Sequence, residues 1–277
     1  MKEELFIQHQ FPDGMNILIF NKEEEYESSL LIVPANGVPM LFYFPIAEWI
    51  AINNNVKIVL MDYLGIGKSK PEHPRFIDRS VVDWARKDVS RVIEFIRSEL
   101  SISRINYLGH SIGGQMIGLI PEAINLDKII LIASQSAYYK YWKGLSRLKM
   151  ITNWYLLIPT LVNTFGYLPG RISGMEDLPP KAALEWAKWC RSKEYYLDHQ
   201  NETFFDEIKC PVVSISFSDD NYAPKASVDW LANKFVNARV DRMHFDPNDL
   251  NKKTLSHFGI FKSRNSDLWQ LINEELV

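Results

Sequence analysis

Cysteine is almost missing from this chain. The two present, Cys190 and Cys210, are too few for a disulfide framework and cannot complete a zinc site by themselves. Both are read as reduced, unligated thiols, and neither metal nor cofactor is expected. An excess of one charge is missing too. Thirty-one Lys and Arg stand against 34 Asp and Glu, a formal net charge of −3, with the signs interspersed, so a nucleic-acid partner is not expected. The opening "MKEELFIQHQFPDG" carries Glu3 and Glu4 and lacks the apolar core of roughly 7–15 residues that a secretory signal needs. A cytoplasmic protein is the expectation. Nor is there an uninterrupted apolar run of the ~20 residues that cross a bilayer. The nearest, "MITNWYLLIPTLVNTFGYLP" at 150–169, is broken by Thr152, Asn153, Pro159, Thr160, Asn163 and Thr164. Stable membrane insertion is therefore not expected, and the segment reads as a buried or pocket-lining helix.

What the chain does have is enough apolar residue, 47% of 277, for one large domain with an insertion or for two small ones. Short β-branched runs, "LLIVP" 30–34, "VKIVLMD" 56–62, "INYLG" 105–109, "KIILIAS" 128–134 and "PVVSISF" 211–217, alternate with helical patterns. Continuous apolar strands between helices predict a mostly parallel sheet covered on both faces. "LFIQH" and "NILIF" predict a leading antiparallel pair. The clearest helix is 79–100, where Val82, Ala85, Val89, Val92, Ile93, Ile96 and Leu100 recur every three or four residues. From about Gln135 to Glu207 the rhythm breaks. No strand run occurs, and a dozen aromatic residues crowd between Tyr138 and Tyr196, which predicts a helical insertion between two strands.

"DYLGIGKS" at 62–69 ends like a Walker A loop, but Asp62 sits where the first glycine must lie for backbone N–H groups to face a phosphate. The pattern that carries chemistry is "INYLGHSIGGQM". An apolar strand runs into Gly109-His110-Ser111-Ile112-Gly113 and then into a helix of small residues, the Gly-x-Ser-x-Gly nucleophile elbow. Chance alone gives on the order of 0.03 such matches in a chain of this composition. Glycine fits at both places because strand and helix approach closely there.

A serine hydroxyl is a weak nucleophile and needs a base and an orienting acid, here following it in the chain. Asp219 and Asp220 in "SDDNYAP" compete for the acid. Asp220 is favoured, four residues before Pro224 where the next helix starts, and Asp219 is read as stabilising the turn. His257 in "LSHFGIF" and His244 compete for the base. His257, in a loop, is favoured over His244 at the end of a strand pattern, and His110 is read as packing. The oxyanion hole is expected from the backbone N–H of Ile112 and, in "PANGVP", that of Val38, because Gly37 lets the backbone turn and Pro39 has no N–H.

"PANGVPMLFYFPIAEWIA", "MDYLGIGKSKP", "YLGHSIGGQ", "FGYLPG", "EDLP", "WAKWCRS", "SFSDDNYAP" and "SHFGIF" resemble the serine α/β-hydrolases along nearly the whole chain, in a bacterial-type branch sometimes named after serine aminopeptidases. "DYLGIGKS" resembles that superfamily's Asp-x-x-Gly-x-Gly-x-Ser turn. The chain departs at Leu64, where many relatives have Arg, and at "GIFK". The resemblance implies an α/β-hydrolase fold: a mostly parallel eight-stranded sheet flanked by helices, core 1–134 and 208–277, and a helical cap at 135–207 between strands 6 and 7. It implies Ser111, Asp220 and His257 as nucleophile, acid and base. The expected function is hydrolysis, through an acyl-enzyme, of an ester, or a thioester or small amide, of an apolar acyl or aromatic substrate. Acyl transfer to another acceptor, separable from hydrolysis by product analysis with added alcohols, and non-catalytic binding, which has no need of the triad candidates, are the alternatives.

Overall fold

The computed structural model describes residues 6–21, 25–200 and 202–276. Eight strands form one sheet: β1 Phe6–Gln10, β2 Asn16–Phe20, β3 Ser28–Val33, β4 Lys57–Met61, β5 Arg104–His110, β6 Lys128–Ile132, β7 Val212–Phe217 and β8 Val240–Phe245. Their order is β1-β2-β4-β3-β5-β6-β7-β8. The first two strands are antiparallel, β2 runs antiparallel to β4, and all later pairs are parallel. Leu5, with which the expected first strand opens, lies outside the described residues.

The strands read as continuous apolar runs because both faces are covered. Along β2, Ile17 and Ile19 pack with the helical run 81–98 in one core, while Leu18 and Phe20 pack in the other, with the helix Phe44–Asn53 and the C-terminal Leu268, Trp269 and Ile272. The helical face at 81–98 differs from the spacing expected from sequence. Val81 and Trp84 are fully buried, whereas Val82 and Leu100 are only partly so. A π-helical segment, Trp84–Val89, shifts the phase of the apolar stripe before it by its wider turn, and Leu100 lies beyond the helix, which ends at Ser98.

Strand order reverses direction at β3, which has β4 on one side and β5 on the other. In open α/β sheets the crevice at the carboxyl ends beside such a reversal is where ligands bind. The register Val33↔Gly109 sets the loop after β3 against the turn after β5. Between β6 and β7 the chain leaves the sheet for a helical region. Its longest run covers residues 144–165, and its only β pairing among the described residues is the isolated bridge Leu168↔Leu178.

Asp62 explains "DYLGIGKS". Its buried carboxylate accepts from the Lys68 N–H at 2.8 Å and from the Met40 N–H at 2.6 Å, closing the turn and tethering the chain that follows the β3 loop. Ser69 Oγ donates to the Asp62 carbonyl and accepts from the Asn16 N–H, and Lys68 is exposed. Gly67 has φ +56, and a Cβ there would run into the Asp62 carboxylate. Gly67→Ala is expected to lower unfolding free energy by about 2–4 kcal/mol. Gly174→Ala, with φ +79 but nothing within 4 Å, should cost only about 1 kcal/mol of backbone strain. Urea midpoints at constant m-value check the contrast, and equal losses would show that the carboxylate contact is irrelevant.

Candidate active site

Ser111 is the hinge between β5 and the helix Ile112–Gln115, with φ 53 and ψ −116. An L-residue is held there only when its surroundings over-determine it. They do: the Ser111 N–H donates to the Ile132 carbonyl at 3.0 Å, and the flanking glycines allow the close approach. A Cβ on Gly109 would lie 2.6 Å from Gly114 Cα, and one on Gly113 would strike the Val33 carbonyl. The helix expected to follow is short, four residues and a 3-10 turn at Met116–Leu119. Pro121 ends it by holding Ile120 extended.

Ser111 and His257 line one cavity of about 670 Å³. Asp220 lies buried behind the imidazole, its Oδ2 2.7 Å from His257 Nδ1. Its Oδ1 accepts from the Tyr222 N–H at 2.7 Å and the Ala223 N–H at 3.1 Å, so both oxygens are fixed. Ser111 Oγ makes no hydrogen bond among the described residues, as is common before substrate arrives. His244 belongs to β8 and bonds Ser216 Oγ at 2.8 Å, away from Asp220.

Asp219 does more than its sequence position suggests. Rather than its own turn, it holds the approach to His257, accepting from Thr254 Oγ1, the Leu255 N–H and the Ser256 N–H at 2.7, 2.9 and 2.8 Å. The adjacent acids thus divide the work: one carboxylate fixes the loop and the other the ring.

His110 is likewise more than packing. The Ala35 N–H donates to Tyr43 Oη at 2.9 Å, Tyr43 Oη lies 2.6 Å from His110 Nδ1, and His110 Nε2 lies 2.9 Å from the His257 carbonyl. Burial pushes the Tyr43 hydroxyl up, so it keeps its proton, and burial, then the neighbouring His257, pushes His110 well below its ordinary value. The ring is therefore neutral. Since the His257 carbonyl can only accept, Nε2–H donates to it, and the unprotonated Nδ1 accepts from the Tyr43 hydroxyl. A buried relay thus joins the β3 loop to the His257 loop through the residue preceding Ser111. Sequence reasoning could not find it, because Tyr43, His110 and His257 share no local pattern.

Of the two expected oxyanion donors, the Ile112 N–H opens its helix and has no partner among the described residues. The Val38 N–H lies on the cavity wall but closes a turn, donating to the Ala35 carbonyl at 3.2 Å. Gly37, at φ +61, makes that turn. The helical region clasps the same loop: the Glu176 N–H donates to the Gly37 carbonyl at 2.8 Å, while the Glu176 carboxylate takes the Gly67 N–H at 2.8 Å and Lys70 Nζ at 2.7 Å. Trp142, Trp154 and Trp186, three of the dozen aromatics, line the cavity with Met150, Ile158 and Leu161. The buried Asn36 amide has no partner among the described residues.

The alpha/beta hydrolase fold family matches residues 36–247, and the chain belongs to that family. Among solved structures it is similar to the Paleococcus ferrophilus monoacylglycerol lipase, with 15% identity, TM-score 0.62, 95% of this chain and 98% of that one covered. It is similar also to a thermophilic esterase from Thermogutta terrifontis, with 13% identity, TM-score 0.61, 98% and 97% covered. The Exiguobacterium antarcticum esterase gives 14%, 0.59, and 99% of both chains. At these identities the likeness is one of fold. No curated protein matches the sequence. Among the described residues no cluster of three side chains could hold a metal, and no helix is long and apolar enough to cross a membrane.

Burial raises Asp62 from 3.8 to about 6, offset in part by the Met40 and Lys68 amides. A folded-state value above the unfolded one means the folded chain binds this proton more tightly. The associated stability is full below about pH 4 and is lost as pH rises through about 6. Relative to Asp62→Asn, whose side chain does not titrate, the wild-type protein should lose about 1 kcal/mol between pH 5 and pH 7. Urea unfolding of both at the two pH values checks this, and a pH-independent difference would refute it.

Proposed function

We propose that this protein is a serine hydrolase that cleaves an ester, with thioesters and small amides open to the same chemistry, of an apolar acyl or aromatic substrate. The observation that carries the reading is the His257–Asp220 pair at 2.7 Å, with His257 on the same cavity as a strained Ser111. In this reading Ser111 Oγ attacks the carbonyl carbon while His257 Nε2 takes its proton, and Asp220 holds the ring and stabilises the imidazolium. The carbonyl oxygen becomes an oxyanion facing the N–H groups of Ile112 and Val38. The Val38 bond to Ala35, at 3.2 Å, is near the long limit for N–H···O, and a turn N–H can be shared between two acceptors. Collapse returns the His257 proton to the leaving oxygen. Water then attacks the acyl-enzyme by the same path in reverse. Residues 135–207 are read as a cap over this site and 1–134 with 208–277 as the core, supported by the three cap tryptophans on the cavity wall.

A fluorophosphonate should label Ser111 alone and leave Ser111→Ala unlabelled, as mapped by mass spectrometry. Asp220→Asn and His257→Ala should each lower turnover on the order of 10³-fold or more, with His244→Ala and Asp219→Asn costing far less. Labelling that persists in Ser111→Ala, or a larger loss from His244→Ala than from His257→Ala, would sink these assignments.

The apolar wall leads to a second expectation. For p-nitrophenyl esters kcat/KM should rise from acetate toward medium chains, each buried methylene contributing up to about 0.8 kcal/mol, until the cavity is full. A series that is flat or falls from acetate onward would contradict an acyl pocket under the cap.

A further inference from the structure

The first half of the cap has a charge balance unlike that of the chain. From Ile129 to Met175 there is no Asp or Glu, whereas Lys140, Lys143, Arg147, Lys149 and Arg171 all occur and all are exposed. None of the five enters an ion pair among the described residues, whereas Lys181 pairs with Asp78 and Lys234, on the core, with Glu194 of the cap. The same stretch exposes apolar surface. Six of the twelve exposed large hydrophobic side chains among the described residues are Leu145, Leu148, Tyr155, Leu156, Leu157 and Ile172, with Leu145 at 85% exposure, Leu156 at 62% and Leu148 at 59%.

The pattern is organised. Leu145, Leu148, Thr152 and Leu156 follow at intervals of three and four, one face of the run 144–165. Met150, Trp154, Ile158 and Val162 occupy the other face and are buried. The cavity mouth lies on the exposed side, for Lys149, Leu157 and Ile172 are at once exposed and part of the cavity wall. Monomeric proteins rarely leave such apolar surface uncovered without a use for it.

We propose that this face of the cap docks on an anionic lipid surface, and that the ester substrate partitions into that surface and enters the cavity from it. Cations near such a surface gain from its negative potential, and projecting leucines gain by entering the headgroup boundary. An acidic protein or nucleic acid would satisfy the cations but give the projecting leucines no apolar phase. The docking claim stands on the cap alone, and only the substrate claim rests on the hydrolase reading.

The test uses the full-length Ser111→Ala protein, so that turnover cannot affect binding, sedimented with vesicles of phosphatidylglycerol and phosphatidylcholine in equal parts or of phosphatidylcholine alone. Partitioning should be about tenfold or more stronger on the anionic vesicles and weaken as salt rises. Adding Leu145→Glu and Leu148→Glu should remove about tenfold of it, while the same pair in the active protein leaves hydrolysis of a short soluble ester unchanged, since neither residue lines the cavity. No preference for anionic vesicles, undiminished binding by the double variant, or equally tight binding to duplex DNA or an acidic protein regardless of the leucines would overturn the proposal. Vesicle binding without any ester cleavage would defeat the hydrolase reading and leave the docking face standing. Cleavage of soluble esters without vesicle binding would do the opposite.

Discussion

The left-handed backbone at Ser111 is the constraint around which the rest is arranged. A serine at φ 53 and ψ −116 costs on the order of 1–3 kcal/mol, and it persists because a buried central strand enters it and a helix must leave it at once. Everything close by yields to that turn. Gly109, Gly113 and Gly114 remove the side chains that would collide, and the Ile132 carbonyl takes the Ser111 N–H. The result is a hydroxyl raised above the carboxyl edge of the sheet, at the reversal of strand order.

Three loops from three strands must then be held against this fixed point, and polar side chains, most of them buried, do it. Asp62 anchors Met40 beyond the β3 loop, Asp219 anchors the His257 loop, and the Tyr43–His110 relay joins the two. Each bond adds only about 1 kcal/mol net, but leaving the buried Asp62, Tyr43 or His110 without its partner costs about 1–3 kcal/mol. The loops are therefore fixed by what each orphaned group would cost, and the histidine is aimed by a network that extends well beyond its aspartate.

The helical region between β6 and β7 has one face that belongs to the site and one that does not. Its inner side joins the core of the sheet through Trp142, Met150 and Trp154, and Glu176 fastens it to the Gly37 loop. Its outer side stays apolar and cationic, unlike the salt-bridged surface of the core. The interrupted segment 150–169 is therefore neither a membrane span nor wholly buried, but a helix with two different surroundings.

Local regularities made much of this legible in advance. Continuous apolar runs located β3 to β7, because a strand buried on both faces has no polar alternation to obscure it, and Gly109-His110-Ser111-Ile112-Gly113 announced the elbow because its sterics are confined to five residues. The favoured pair, Asp220 and His257, could be ranked from their loops, and the structure brings them together across 37 positions. What tertiary structure alone decided is whatever depends on contacts between distant segments. The π-helical shift that buries Trp84, the role of Asp219 at Thr254–Ser256, the relay from Ala35 through His110, and the engagement of the Val38 amide with Ala35 all follow from which groups meet once the sheet is assembled. A single sequence encodes local spacing directly, whereas the pairing of buried polar groups is set by the packing that desolvates them.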